Sequence, residues 1–434
     1  MSVETIDRPV SLVSLHPYGN EGLPAWLIPM RASAHARFLE LGIPTTKHEE
    51  WKYTSLREFE SQSFAEPTFA NLSDDDIADA VRGLEDAQRI VFVNGIYSEP
   101  LTTRLSQEEG VEIRTLQCVG GDPSNKLKNL FGTVARTDEF AFANLNSSQF
   151  RSGAYVQIHR NTKAERPIHL LFISTGGTAS YPRVLVHAEQ GSEATVVESY
   201  VTVGEGTSFV CGVTEVVVEA NAKLEHVKLQ SESERSYHIA LSEARVEGDG
   251  TYLDYNVTFG GKLTRNDRQV FIGGSNAHVR MDGVYVADGE QHCDNHTRLD
   301  HAFPHCDSFE VYKGVLDGAS SGVFNGKIFV YLDAQKTDAK QTNQALLLSP
   351  KATIETKPQL EIFADDVKCT HGATVGQLRE DALFYLQSRG IPLKQARALL
   401  VYAFAAEVLE RISHDGLRSE LESRLYQKLG TDQG

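Results

Sequence analysis

Short extended runs recur through the middle of the chain, and they limit the folds it can adopt more than any other feature. Between Tyr155 and Val367 the sequence is rich in Val, Thr and Gly and has little helical periodicity. Repeats of about 30 residues in an all-β segment are typical of stacked solenoids. Four runs share an aliphatic residue followed two positions later by a small one: Val186-His187-Ala188, Val218-Glu219-Ala220, Val246-Glu247-Gly248 and Ile272-Gly273-Gly274.

A sandwich of hairpin-connected strands is the alternative architecture for this segment. Asn-Gly and Asp-Gly pairs are signals for tight hairpin turns, and they occur at 325–326, 282–283 and 288–289. Small residues at recurring corners favour the solenoid, because the tight bends of successive turns must stack on one another. We therefore predict a mainly β fold with a parallel β-helix core, and the sandwich stays open as the alternative.

Helical patterns flank the β segment on both sides. Apolar residues recur at three- and four-residue steps over 23–56 and over 391–412, and a shorter amphipathic helix is predicted over 416–429. These patterns predict three domains, namely an N-terminal helical or mixed domain (1–150), the β-helix core (151–367) and a C-terminal helical domain (368–434).

The helix predicted over 391–412 has a wide apolar face. Pro392 stands near its start, and the face runs through Ala396, Leu400, Phe404, Val408 and Ile412. Such a face must be covered, either by the chain's own β body or by a partner. The pattern does not decide between these two.

Charge and cysteine content exclude several classes of protein. Lys and Arg number 42 against 59 Asp and Glu, a net charge of −17, and no long basic run is present. A nucleic-acid groove or an anionic membrane surface needs clustered Lys and Arg, and no segment reaches the ~20 apolar residues of a membrane span. No signal-peptide pattern is present, so we expect a cytoplasmic protein without a disulfide framework. The five cysteines are Cys118, Cys211, Cys293, Cys306 and Cys369.

The densest group of potential metal ligands lies between His292 and Cys306. Two H-x3-H spacings and two flanking cysteines are compatible with zinc, but no C-x2-C pair accompanies them. In a stacked β body such side chains also form hydrogen-bond ladders across turns, and we expect the ladder. A zinc-dependent enzyme that uses this cluster is the alternative function. The cluster comprises His292, Cys293, His296, His301, His305 and Cys306.

A second candidate site lies in the segment 365–376. Cys369 and His371 are two residues apart, so on a strand they face the same side, and both are soft or borderline metal ligands. A buried thiol beside a hydrogen-bonded imidazole is also common as a purely structural pair. The spacing by itself favours the structural role.

Sequence motifs of a self-contained catalytic centre are missing. No G-x4-G-K-[ST] motif is present, so we expect no P-loop ATP site in this chain. No G-x-S-x-G elbow and no dinucleotide-binding G-x-G-x-x-G occur either. A secreted β-helix enzyme acting on polysaccharides is a further possibility, against which the missing signal-peptide pattern counts.

The run from 310 to 392 resembles the SufB/SufD family of iron–sulfur cluster assembly proteins. Upstream, 49-EEWKYTSL-56 is similar to an N-terminal element of that family, and 295-NHTRLDHAFPH-305 to its histidine-rich turn. The run CTHGATVGQL and the lack of any cysteine before Cys118 resemble SufD rather than its paralogue SufB. The resemblance extends over nearly the whole chain.

The resemblance implies both a fold and a role. The fold is a right-handed parallel β-helix between N- and C-terminal helical domains. The role is that of a non-catalytic scaffold subunit that pairs with SufB through the β-helix and offers its C-terminal helices to the ATPase SufC. A transient Fe–S cluster would form at the SufB–SufD interface, and the complex can carry a reduced flavin. A β-helix end with unpaired strand edges also makes a homodimer plausible when the chain is alone.

The resemblance also assigns residues. His371 matches the family's functional histidine at the SufB–SufD interface, and Cys369 matches the cysteine of the same motif, whose part in iron ligation stays open. The region that faces SufC in the family corresponds to the residues Phe384, Tyr385, Arg389, Gly390 and Pro392.

Overall fold

Strands that stack in a single direction make up most of this chain. The computed structural model describes residues 23–103, 108–116 and 126–429. The described part is mainly β, a solenoid of about eight turns with helices before and after it, as expected. Cys118 lies outside the described residues.

The strands run in chain order as β1 (Gln88–Val93), β2 (Ile96–Tyr97), β3 (Val111–Thr115), β4 (Gly153–Ile158), β5 (Ile168–Thr175), β6 (Ala179–Ser180), β7 (Arg183–Ala188), β8 (Glu193–Val203), β9 (Phe209–Val218), β10 (Lys223–Ser231), β11 (Tyr237–Val246), β12 (Thr251–Thr258), β13 (Leu263–Ile272), β14 (His278–Ala287), β15 (His292–His301), β16 (Asp307–Leu316), β17 (Ser321–Val330), β18 (Asp338–Leu347), β19 (Thr353–Ile362) and β20 (Lys368–Gly376). The α-helices are α1 (Leu27–Leu41), α2 (Arg57–Glu60), α3 (Ala78–Val81), α4 (Lys126–Leu130), α5 (Ala141–Gln149), α6 (Glu380–Ser388), α7 (Leu393–Leu409) and α8 (Asp415–Lys428).

The strands form two sheets that enclose a lumen. The first sheet has the order β2-β1-β5-β8-β10-β12-β14-β16-β18-β20, and the second β19-β17-β15-β13-β11-β9-β7-β4-β3, with β6 beside β9. From β7 on, each turn gives one strand to each sheet and pairs in parallel with the turn before it. Up to β18, each strand also pairs in parallel with the turn after it. The described strands of the solenoid extend from Gln88 to Gly376, a wider span than the predicted core of 151–367.

One corner of the solenoid repeats the same backbone conformation in successive turns. Seven residues there have a positive φ, and each N–H donates to a carbonyl of the next turn, as Asn221 does to Gly248 O at 3.1 Å. Asn, Asp and Gly adopt this left-handed conformation more easily than other residues. The recurrence of Asn, Asp and Gly at this corner is therefore a second periodic signal in the sequence, and the prediction from aliphatic repeats did not use it. The seven are Asn161, Gly191, Asn221, Asp249, Asn276, His305 and Lys336.

The strand register confirms most of the repeat and rejects the sandwich. Val218, Val246 and Ile272 stack in register, but Val186 pairs with Val216, two residues from the predicted position. Two of the predicted hairpin turns are wrong, because 282–283 and 325–326 lie inside β14 and β17. Their glycines make room in the lumen instead. A Cβ on Gly283 would lie 2.3 Å from the Tyr312 ring.

The C-terminal helices agree with the predicted ranges, and most of the predicted apolar face is buried, including Ala396, Val408 and Ile412. Pro392 caps α7, as predicted. Val401, Ala405 and Val408 are buried against the first sheet and α8, whereas Leu400 and Phe404 are half-buried. The packed face thus keeps much of the predicted stripe and also includes Val401 and Ala405, where a small side chain lets the helix approach the sheet closely.

The corner makes a direct prediction about stability. Asn221→Val should lower the free energy of unfolding by about 1–2 kcal/mol, since a branched side chain in the left-handed region is strained. Asn221 is exposed, so no packing is lost. Urea unfolding followed by circular dichroism measures the change. The matched variant Asn221→Gly should stay within about 0.5 kcal/mol of wild type, and equal stability of the two variants would contradict the strained-corner account.

Candidate functional site

The last strand of the solenoid contains both residues of the C-x-H pair. In β20, Cys369 pairs in register with Ala339 of β18, and His371 with Gln341. Ala339 and Gln341 are buried inward-facing residues. Because side chains of paired strands stack, Cys369 and His371 face the end of the lumen. Cys369 is half-buried against the apolar core, and His371 is exposed.

The two side chains differ in burial and accessibility. Burial raises the pKa of the Cys369 thiol, and the nearby Asp338 carboxylate adds to that effect. The thiol therefore stays protonated at neutral pH unless a metal replaces the proton. The imidazole of His371 is exposed at the end of the lumen. Of the two, His371 is the more accessible donor.

The histidine-rich segment is a strand, β15, and not a turn as the resemblance implied. Its residues alternate between the lumen and the outer face of the second sheet. Cys293 is buried inside, whereas His292, Asp294 and His296 contact the segment before α2. Because alternate side chains of a strand point to opposite faces, the His and Cys residues whose spacing is compatible with a zinc site are divided between the two faces of the sheet.

The outward side chains of β15 contact the EEWKYTSL element. The carboxylate of Asp294 accepts from Thr54 Oγ1 at 2.6 Å and from the Arg265 guanidinium at 2.9 Å. The same guanidinium lies 4.1 Å from the centre of the Trp51 ring. These contacts attach the N-terminal segment to the solenoid, so both motifs serve the same interface.

The remaining members of the cluster go to separate places. His301 Nε2 lies 2.9 Å from Ser308 Oγ, and burial lowers the pKa of its imidazole to about 4. Cys306 Sγ donates to Gly274 O, and His305 occupies the repeated corner. Hydrogen bonds across turns, such as His292 Nδ1 with Ser321 Oγ at 2.7 Å, confirm the predicted ladder. Within residues 23–103, 108–116 and 126–429, no group of three or more His, Cys, Asp or Glu side chains is placed to hold a metal ion.

The predicted partner-binding residues lie on and after α6, a helix without a buried residue. Phe384 is 74% exposed and Tyr385 57%. The Arg389 guanidinium stacks 5.3 Å from the Tyr385 ring, and Gly390, at φ 86°, turns the chain into the Pro392 cap of α7. Two large aromatic side chains at consecutive positions of α6 are thus exposed at the surface.

In contrast, α7 is attached firmly to the first sheet. Lys313 Nζ donates to Phe404 O at 2.9 Å and forms an ion pair with Glu407. Arg411, just after α7, is paired with Asp282 at 2.9 Å. The C-terminal unit therefore has one face fixed to the solenoid and an aromatic face on α6 that the solenoid does not cover.

The lumen contains a buried network of polar side chains that the sequence patterns did not predict. Arg268 binds the Asp254 carboxylate, and Lys228 Nζ lies 2.8 Å from His238 Nε2, with burial lowering the pKa of that lysine to about 7. Charged residues that alternate with aliphatic residues along a strand are typical of a sheet with one face in solvent. Here several of the charged residues lie on the face that lines the closed lumen.

Comparison with known proteins agrees with this architecture. Residues 171–404 match the family model described as "SUF system FeS cluster assembly, SufBD core domain", and residues 20–170 match "SufBD protein N-terminal region". The iron–sulfur cluster assembly protein SufD of Escherichia coli (strain K12) is 33% identical over 399 residues, 91% of each chain. A SufBD family protein of Synechocystis is 32% identical over 91% of this chain and 89% of its own. SufD of Bacillus subtilis (strain 168) is 26% identical over 94% of each chain.

The solenoid, its end strand and these matches define a protein of iron–sulfur cluster assembly. More particularly, the chain belongs to the SufB/SufD family, and its expected similarity to SufD is confirmed. No helix among the described residues is long and apolar enough to cross a bilayer.

The β15 contacts predict the effect of His296→Ala. Burial and Arg265 lower the pKa of His296, but the Asp294 and Glu50 carboxylates, at 3.0 and 3.3 Å, outweigh them and raise it. Removing the imidazole should cost about 1–3 kcal/mol of unfolding free energy. Because the pKa of His296 is higher in the folded than in the unfolded protein, the difference in unfolding free energy between wild type and His296→Ala is largest below the ordinary pKa of histidine. The difference decreases as pH rises through the raised pKa of the folded protein.

Urea unfolding between pH 5.5 and 8.5 measures that difference. The matched control is His305→Asn, because His305 is exposed and Asn tolerates its left-handed backbone conformation. Metal analysis of the isolated protein is the second readout. Zinc bound at one equivalent and lost in His296→Ala would contradict the structural account and favour the zinc enzyme.

Proposed function

We propose that this chain is a non-catalytic scaffold subunit that pairs with SufB, binds the SufC ATPase and helps to hold a nascent Fe–S cluster at the SufB–SufD interface. The observation that carries the proposal is the terminal strand β20, which presents His371 and Cys369 at the open end of the lumen. The cluster is cargo that is assembled and passed on. The family match supports the assembly role, and the geometry of the end strand supports its location.

The end of the solenoid suits pairing with a second chain. Among the described strands, β20 pairs only with β18 and β19 only with β17, so each has one edge without a strand neighbour. Such edges readily accept a strand from another chain. The same edges can pair two copies of this chain, so we propose a homodimer when SufB is absent.

Iron chemistry at this end follows from the ligand types. A neutral imidazole and a thiolate both bind Fe(II), and Fe–S clusters are held mostly by thiolates with occasional histidine. His371 and Cys369 supply at most two donors, and we assign the others to SufB. A site divided between two chains can open when the interface moves, which allows the cluster to be released.

The exposed aromatic face of α6 supports the proposed SufC contact. Phe384 and Tyr385 bear large apolar surfaces on a helix that the solenoid leaves uncovered. Aromatic and Arg side chains are the commonest hot spots of protein interfaces. The ATP-driven step belongs to SufC, because this chain has no P-loop sequence. Through α7, which is fixed to β16 and β14, movement of SufC would reach the solenoid.

Two finer proposals rest mainly on the family. We propose that the assembled complex carries a reduced flavin, but the described cleft of about 610 Å³ beside Trp51 does not fit it well. The Trp51 ring is already covered by Arg265 and by Phe142, whose ring centre is 5.6 Å away.

We also place the protein in the cytoplasm, since the four described cysteines are free thiols.

The cluster proposal predicts the outcome of His371→Ala. In the SufB–SufC–SufD-type complex isolated without oxygen, iron and acid-labile sulfide should fall at least about tenfold while the complex still assembles, because a ligand is lost. Cys369→Ser in parallel tests whether the thiol contributes. His305→Asn is the control for loss of an exposed histidine elsewhere, since Asn tolerates the left-handed backbone at this position. Unchanged iron and sulfide in an assembled His371→Ala complex would make His371 a structural residue.

The docking proposal predicts that Phe384→Ala weakens SufC binding by about 2 kcal/mol, or roughly 30-fold, as for an aromatic hot spot. Tyr385→Ala should act in the same direction. Titration calorimetry with purified SufC provides the measurement. The matched control is Phe69→Ala, which removes a 53% exposed phenylalanine far along the chain. Equal affinities for all variants would place the SufC contact elsewhere.

A further inference from the structure

Three inward-facing side chains lie in register at the open end of the lumen. Glu310 of β16 pairs with Gln341 of β18, and Gln341 pairs with His371 of β20. Side chains at paired positions of parallel strands stack at the strand spacing of about 4.8 Å. Gln341 therefore lies directly beneath the histidine assigned to the cluster.

The orientation of the Gln341 amide is fixed from below. Its Nε2 donates to Glu310 Oε2 at 2.9 Å, and the Glu310 carboxyl also accepts from the Thr297 hydroxyl. Burial raises the pKa of the Glu310 carboxyl to about 7, which lowers the cost of keeping this group inside the lumen. On the opposite sheet, a Cβ on Gly326 would lie 2.4 Å from Gln341 Nε2. The glycine thus provides the space that the amide occupies.

The other end of the amide is a buried acceptor. Gln341 is only 1% exposed, and its Oε1 makes no hydrogen bond within the described residues. A buried carbonyl oxygen without a donor costs free energy. The position next to it on the open side is that of His371, whose imidazole has an N–H to donate.

We propose that Gln341 is a positioning residue for His371, accepting the imidazole N–H at Oε1 so that the other ring nitrogen points to the metal. The inference rests on the proposed role of His371 in cluster assembly. Histidines that bind metals commonly donate their second ring N–H to a carbonyl or carboxylate, which sets the tautomer and the ring orientation. Glu310 acts one step further away by holding Gln341.

The first test is the tautomer of His371 in the isolated full chain. The protein is labelled with 15N-histidine and studied by NMR at pH 8, with His371→Ala identifying the resonances. Wild type should show one tautomer, and Gln341→Met, which keeps the length but removes the amide, a mixture of two. Glu310→Gln retains an acceptor for Gln341 Nε2 and should keep the single tautomer. A single unchanged tautomer in Gln341→Met overturns the proposal.

A second variant covers the case in which Gln341→Met does not fold. Gly326→Ala keeps the Gln341 amide but pushes it out of its position. This variant should therefore produce the same mixture of His371 tautomers. Unchanged His371 signals in a folded Gly326→Ala protein, with Gln341→Met unfolded, would also overturn the proposal.

The second test separates this inference from the proposed function. In the assembled complex, Gln341→Met should raise the Fe(II) concentration needed for half-occupancy by about 10–100-fold, and Glu310→Gln should have a much smaller effect. If iron is insensitive to His371→Ala while the tautomer depends on Gln341, the cluster role fails and the positioning contact stands. If iron depends on His371 and the tautomer does not depend on Gln341, only the positioning role fails.

Discussion

Hydrogen bonding between stacked turns is the constraint on which the rest of this structure depends. Each strand from β7 to β18 is paired in parallel with the turns before and after it, so every corner must return the chain to the same register. The left-handed residues from Asn161 to Lys336 meet that requirement, and their N–H groups continue the ladder around the bend. Once the register is fixed, the contents of the lumen and the outer faces follow from strand alternation.

The two ends of such a ladder differ in this chain. At the first end, β2 and β3 close the sheets with antiparallel pairs. At the last end, β19 and β20 remain as edges, and Pro358 in β19 is a residue that only an edge strand tolerates readily. The end left open is also the one that presents His371. In the function proposed above, joining another chain and sharing a cluster both depend on this open end of the ladder.

Much of the fold was predictable from the sequence, and the predictions that failed have identifiable physical reasons. The stacking of Val218, Val246 and Ile272 was predictable because aliphatic residues repeat with the turns. The pairs at 282–283 and 325–326 misled, because glycine signals a hairpin by its backbone freedom, yet here it serves Tyr312 and Gln341 by lacking a side chain. The predicted face of α7 was right at Ala396 and Val408 but left out Ala405, because hydrophobicity favours Leu400, whereas close packing on a sheet favours Ala405.

By itself, the sequence determined the stacked β architecture, the flanking helices, the candidate pair Cys369 and His371 and the family, because periodicity and motifs are local properties of a chain. Only the tertiary structure decided that His292 and His296 attach the N-terminal segment, that Phe384 is left uncovered and that Gln341 lies beneath His371. Those facts depend on which residues of different turns become neighbours. Register across turns is a property of the closed ladder, and no single segment contains it.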